Sequence, residues 1–290
     1  MKKPAIYQFM TFLCLTFAAF SAKAEERPVA AIKVEYVMSS VSHTGASGEK
    51  KARTDNFILQ LAPTASYYYN PQTFFVDSLQ NDPTGSAMLA QISNDAWKEF
   101  AATGKDPFDY KRDKGVMRGP SYRCLKNYGD RTITVWDSNM GDRYRYDIEM
   151  DDAEWELCDS TKNLLGYECS LASGTYHGRQ WNVWFTPDIP VSDGPWQLHG
   201  LPGLIMEATS ADGNYSFSAT GLQACDEPLK DPFENDKFFK TKRISFLRMK
   251  DYSRRNRGAQ VNAMTRGEVR LKENADYKGN DDFLETDYHE

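Results

Sequence analysis

Hydrophobic and polar positions alternate along much of this chain with the period of two that half-buried strands require. Ala31-Ile32-Lys33-Val34-Glu35-Tyr36-Val37 opens the series, and Phe57-Ile58-Leu59-Gln60-Leu61 and Ser66-Tyr67-Tyr68-Tyr69 continue it. Then the period changes. Between Ser86 and Phe100 the apolar residues Met88, Leu89, Ile92, Ala96 and Phe100 recur at helical spacing, which predicts a helix inserted against a sheet. From Arg131 the strand signals return in quick succession. Thr132–Trp136 is β-branched and aromatic, the polar run 137–142 breaks it as a turn, and Arg143–Ile148 alternates after it. Trp155–Cys158, Tyr167–Tyr176, Trp181–Thr186, Leu204–Thr209 and Tyr215–Leu222 follow, each bounded by Gly, Asn, Asp or Pro. Short strands at this spacing predict a mainly β fold, an antiparallel meander, sandwich or partly open barrel with one or two peripheral helices.

The two ends depart from this pattern. Lys2 and Lys3 precede an uncharged stretch from Ala5 to Phe20, and Ala22-Lys23-Ala24 supplies small residues at −3 and −1. That order predicts a signal peptide over 1–24, cleaved after Ala24. Leu13, rather than a small residue, precedes Cys14, so no lipid anchor is expected. The chain carries a net charge of −6, and loss of Lys2, Lys3 and Lys23 with no acid moves the exported part to −9. An acidic balance disfavours general nucleic-acid binding, which needs clustered cations. No later segment is apolar enough to span a bilayer, so the exported protein is expected to be soluble rather than an integral membrane protein.

Toward the C-terminus, cations crowd residues 240–257 around Ile244 and Leu247. A basic helix there would touch an envelope surface or an acidic partner, or would simply present a solvated face; the solvated face is the plainer reading. The acidic stretch 271–290 is predicted as a solvated tail. One β-rich domain over 25–270 is the simplest organisation left.

Four cysteines lie beyond the signal, Cys124, Cys158, Cys169 and Cys225. An oxidising compartment would allow up to two disulfides, with three possible full connectivities. Cys158 and Cys169 flank a Gly- and Asn-containing connection and are expected to face each other across a hairpin. Their spacing fits no standard zinc motif.

Residues 166–209 are the most informative stretch. Gly200-Leu201-Pro202-Gly203-Leu204-Ile205 contains Pro-Gly at the centre of a four-residue unit, which predicts a type II turn with φ > 0 at Gly203. A strand leaves it with Leu204, Met206 and Ala208 expected on one face. This hexapeptide resembles the GLPGLI family of exported bacterial proteins. Trp184–Pro190, Asp193-Gly194-Pro195-Trp196, Tyr167-Glu168-Cys169 and Arg179-Gln180-Trp181 extend the resemblance. It implies a periplasmic or outer-membrane-associated protein of Gram-negative bacteria and carries no settled activity with it.

The chemistry on offer is sparse. The exported part has four histidines, His43, His177, His199 and His289, and no metalloprotease, nucleophile-elbow, phosphate-loop or CxxC motif. Arg179, Asp188, Asp193 and His199 are the candidate binding residues. A buried pair between Arg179 and Asp188 or Asp193 would fix the loop before the turn. No catalytic residue, metal ligand or cofactor is assigned. A non-catalytic protein binding a peptide, a lipid or an outer-membrane partner is the leading expectation, with Trp181, Trp184 and Trp196 available to a groove. The alternatives are a hydrolase using His177 or His199 with Asp188 or Asp193, and a metal-handling protein using Cys169 and His199.

Overall fold

The computed structural model describes residues 27–44, 49–151, 153–230, 237–256 and 283–288; the expected signal peptide lies outside them. The first half builds β1 (Val29–Thr44), β2 (Glu49–Leu61), β3 (Ala65–Tyr69), α1 (Pro71–Asn81), α2 (Pro83–Thr103), α3 (Pro107–Asp113), β4 (Arg123–Asn127), β5 (Thr132–Asn139) and β6 (Asp142–Glu149). The second half builds β7 (Glu154–Leu164), β8 (Tyr167–Tyr176), β9 (Arg179–Thr186), β10 (Leu204–Ser210), β11 (Tyr215–Pro228), β12 (Phe239–Lys240) and α4 (Arg243–Arg255).

All twelve strands belong to one sheet in the order β12-β6-β5-β4-β3-β2-β1-β11-β10-β9-β8-β7. Two antiparallel meanders, β1–β6 and β7–β11, meet where β1 pairs with β11. Only the short β12 runs parallel to its neighbour, β6. Residues 150–153 alone link the end of β6 to the start of β7. A link of that length reaches about 17 Å, whereas the ten strand spacings between β6 and β7 would cover about 48 Å in a flat sheet. The sheet therefore curls until these strands approach, giving an incomplete, open barrel.

The expected β class is found, but the helices differ from expectation. Four occur among the described residues, not one or two. Pro at the first positions of α1, α2 and α3, with Asn70, Asp82 and Asp106 as caps accepting from the first-turn N–H groups, explains three separate starts. The helix over 83–103 packs on α1 and α3 rather than on the sheet. Of its expected apolar stripe, Met88 and Phe100 are exposed, Leu89 and Ile92 half-buried and Ala96 alone buried.

Strand alternation separates two clusters. Tyr68 stacks on Phe57 with ring centroids 4.7 Å apart and belongs to the main core with Tyr36, Leu59, Val135, Trp181, Val183 and Phe217. Its neighbours Tyr67 and Tyr69 point the other way, into a smaller cluster with Trp136 and Leu229. α4 lies on β6, where Phe246 meets Tyr144 and Tyr146. The basic segment is thus no purely solvated face: Phe246 and Leu247 are buried in the main core.

Candidate functional site

The loop 187–203 between β9 and β10 enters the main core through Ile189, Trp196, Leu198 and Leu201. Its conformation corrects the expected turn. Gly200, not Gly203, carries the positive φ, +95°. Gly203 is required for a different reason: a Cβ there would lie 2.1 Å from the Thr186 carbonyl oxygen. In the strand that follows, Leu204, Met206 and Ala208 all enter the main core, but Ile205 joins them and the simple alternation is broken. A register slip between Ile205 and Glu207 leaves Met206 as the extra residue, so Ile205 and Ala208 stand opposite Phe185 and Val183 on the core face.

A buried ion pair anchors this loop. Cys124 and Lys126 alternate onto the core face of β4, and both are fully buried. The Lys126 ammonium donates to Asp193 and to the carbonyls of Gly194 (2.9 Å) and Leu198 (3.0 Å). Tyr128 and the Gly194 N–H, each at 2.6 Å, complete the carboxylate's partners. A buried charge pair survives only when its remaining donors and acceptors are met, as they are here.

Of the candidate residues the structure brings Asp193 and His199 together, in an antiparallel backbone bridge, while Arg179 finds other partners. Asp193 bonds Lys126 and Tyr128, not Arg179. Asp188 is exposed, and its backbone N–H reaches Thr186 Oγ1 at 3.3 Å. Arg179 is buried, pairs with Asp212, donates to the carbonyls of Phe283 (2.6 Å) and Leu284 (3.2 Å), and stacks over Tyr215. Both acids expected to hold it are thus replaced by Asp212 and two backbone carbonyls. His199 is buried, and its Nδ1 donates to the Gln197 carbonyl at 2.7 Å. Burial, reinforced by nearby Lys126, pushes this imidazole below its ordinary pKa and keeps it neutral.

The cysteines likewise do not pair. Cys158 stands opposite Leu171 and Cys169 opposite Lys162, so the hairpin register keeps them apart; all four described cysteines are free thiols. Burial pushes the Cys124 thiol up to about 12. Cys169 donates toward the Tyr167 carbonyl and has no place in a metal-type group with His199.

The acidic C-terminal segment also differs from expectation. Glu285 and Tyr288 are buried, and residues 283–288 form a packed strap. His177 joins Asp287 (Nδ1, 3.3 Å) to Gln197 (Nε2, 2.7 Å), and Arg243 pairs with both Glu285 and Asp287. Among the described residues, His177, Glu285 and Asp287 are the one group whose ligand atoms could share a metal ion. The Arg243 guanidinium already supplies the positive charge these carboxylates need. The side chains of His43 and His289 lie outside the described residues.

Between the core face of the sheet, α4 and the strap lies a cleft of about 430 Å³. Phe57, Tyr68, Trp196, Phe217, Leu247 and Phe283 line it. The Tyr68 hydroxyl is buried with no hydrogen-bond partner among the described residues. Burial raises its pKa well above the ordinary phenol value, so it stays an un-ionised donor. Of the three tryptophans expected in a groove, only Trp196 lines the cleft; Trp181 is core, and Trp184 lies on the other face beneath Lys162 (4.3 Å). Sequence reasoning missed most of the lining, because it comes from elements distant in the chain. Tyr68 and Phe57 were visible only as strand residues.

Comparison with known proteins locates the familiar part of the chain. The model of a family described as a protein of unknown function, Porph_ging, matches residues 175–207. No curated protein matches the chain. A solved structure of PNGF-II overlays on 78% of this chain at 14% identity with a TM-score of 0.49, and a second crystal form gives 0.45. This chain spans about a third of the length of PNGF-II, 34% in the first crystal form. A domain described as an outer membrane lipoprotein-sorting protein from Vibrio parahaemolyticus overlays on 71% of this chain at 8% identity and a TM-score of 0.25. Over residues 175–207, from the β8–β9 hairpin to the strand after the hexapeptide, the chain is similar to a family whose function is unknown.

Proposed function

We propose that the protein is an exported, non-catalytic binding protein of the cell envelope, one β-rich domain that takes the apolar chain of a lipid into the cleft under α4. The observation that carries this reading is the cleft itself, walled mostly by aromatic and aliphatic side chains, with Arg53, Asp55, Arg118, Asp137, Lys250 and Glu285 as its charged positions. Its volume falls within the roughly 300–1,000 Å³ of small-molecule sites, and a few placed polar groups among apolar walls are their usual make-up. The basic start, the uncharged run and Ala22-Lys23-Ala24 support export to the periplasm. Hydrolysis is less well supported, because Asp193 is committed to Lys126 and Asp188 faces solvent.

Uptake of the apolar dye N-phenyl-1-naphthylamine by the chain lacking residues 1–24 tests the reading. Met38 is half-buried on β1 and lines the cleft, so Met38→Trp fills it. The expected result is saturable binding that weakens at least about tenfold in the variant, with unchanged far-UV circular dichroism. Equal binding by both proteins, or none by either, would overturn the proposal.

A further inference from the structure

The cleft is continuous with a second hollow of about 870 Å³; Arg53, Asp55, Met117, Arg118 and Gly119 line both. The two differ in chemistry. The second hollow is polar and cationic: Arg53, Arg112 and Arg118 line it, with Arg53 paired to the lining Asp55 at 2.9 Å and Arg112 to Asp109 on its own helix. Arg118, Arg123 and Arg143 converge on the single carboxylate of Asp77, at 2.7, 2.7 and 3.5 Å. Asn70, Pro71 and Gln72, at the positive N-terminal end of α1, complete the wall. In a chain whose net charge is −6, this is a local cationic surface placed beside an apolar one.

We infer that the ligand is an anionic amphiphile, its apolar chain in the cleft and its phosphate or carboxylate head in the adjoining hollow against Arg118. This rests on the binding reading above and names its ligand class. The Arg118 side chain is 37% exposed beside the hollow, and its planar donors suit phosphate and carboxylate oxygens.

The test uses displacement of the naphthylamine dye at low salt by three single-chain probes below their micellar concentrations: monododecyl phosphate, dodecyl maltoside and dodecyltrimethylammonium. Inorganic phosphate is titrated alone by calorimetry. Dodecyl phosphate should bind at least about tenfold more tightly than the other two, while inorganic phosphate shows no measurable binding. Arg118→Gln, and separately Arg112→Gln on an exposed helix face, should shrink that preference. Molar salt should shrink it likewise. Equal binding of the three probes overturns the anionic head while the cleft reading stands. Inorganic phosphate binding as tightly as dodecyl phosphate overturns the amphiphile. Absence of dye binding removes the cleft reading and this inference with it.

Discussion

Replacing Lys126 with Met removes a fully buried cation and leaves Asp193 behind. In the native protein all three ammonium protons are used, on Asp193, Gly194 and Leu198. After the substitution the carboxylate keeps only Tyr128 and the Gly194 N–H, and two buried carbonyls lose a donor. Breaking one side of a buried pair costs about 3–5 kcal/mol, a large share of the roughly 5–15 kcal/mol by which domains are stable. With a urea slope of about 3 kcal/mol per molar for a chain of this size, the unfolding midpoint should fall by about 1–1.7 M. Tryptophan emission reports it directly, because Trp181 and Trp196 are buried beside each other, with ring centroids 5.8 Å apart. The double substitution Lys126→Met with Asp193→Leu removes both charges and should recover part of the loss, since an apolar replacement of the whole pair is often close to neutral. A midpoint shift below about 0.3 M in the single variant, or a double variant that loses the sum of both singles, refutes the reasoning.

Gly203→Ala should destabilise by about 1–3 kcal/mol or more, because its Cβ would meet the Thr186 carbonyl at 2.1 Å; a midpoint equal to that of the wild type would show that the two strands separate freely there. The strap should respond to acid. Burial alone would raise the Asp287 pKa, but hydrogen bonds from His177 and Arg243 outweigh it and hold the carboxyl at about 2. Since an unfolded Asp titrates near 4 (about 3.9), the contribution is complete above that pH and is lost as pH falls toward 2. Amide exchange at Thr286, whose N–H donates to the His177 carbonyl at 3.0 Å, should therefore accelerate over that window in the wild type and lose that dependence in Asp287→Asn. Identical acid limbs in the two proteins would contradict it.

The alternation of single strands was legible because it depends only on local burial. Thr132–Trp136 and Tyr215–Leu222 lie where the pattern puts them, within β5 and β11. Less legible was anything set by pairing across the curl. Lys126 lies in β4, a strand outside those the alternation predicts, and it faces the core, where Asp193, sixty-seven residues away, returns to meet it. Arg179 was expected to pair with Asp188 or Asp193. Its partners, Asp212 and the carbonyls of 283–284, come from segments that no local spacing connects. The acidic end of the chain read as solvated for the same reason: its charges are met by Arg243 and His177, which composition alone cannot place beside it.

The hexapeptide shows how a specific motif can mark structure rather than ligand. Gly200 answers a backbone conformation, Gly203 a backbone contact, and Leu201, Leu204 and Ile205 are buried in the main core. With Asp193 upstream, they make a plug that the Lys126 pair locks into the curled sheet. Residues 175–207 contain that plug and, of the aromatic lining, Trp196. Met38, Tyr68, Arg112 and Arg118, which meet the cleft and its cationic extension, lie outside that span. A protein sharing only this stretch would therefore keep the packing that holds the curl, while its ligand would be chosen by β1, β3 and the segment from α3 to β4. The apolar cleft and the arginines beside it, rather than the motif, are where specificity should be sought.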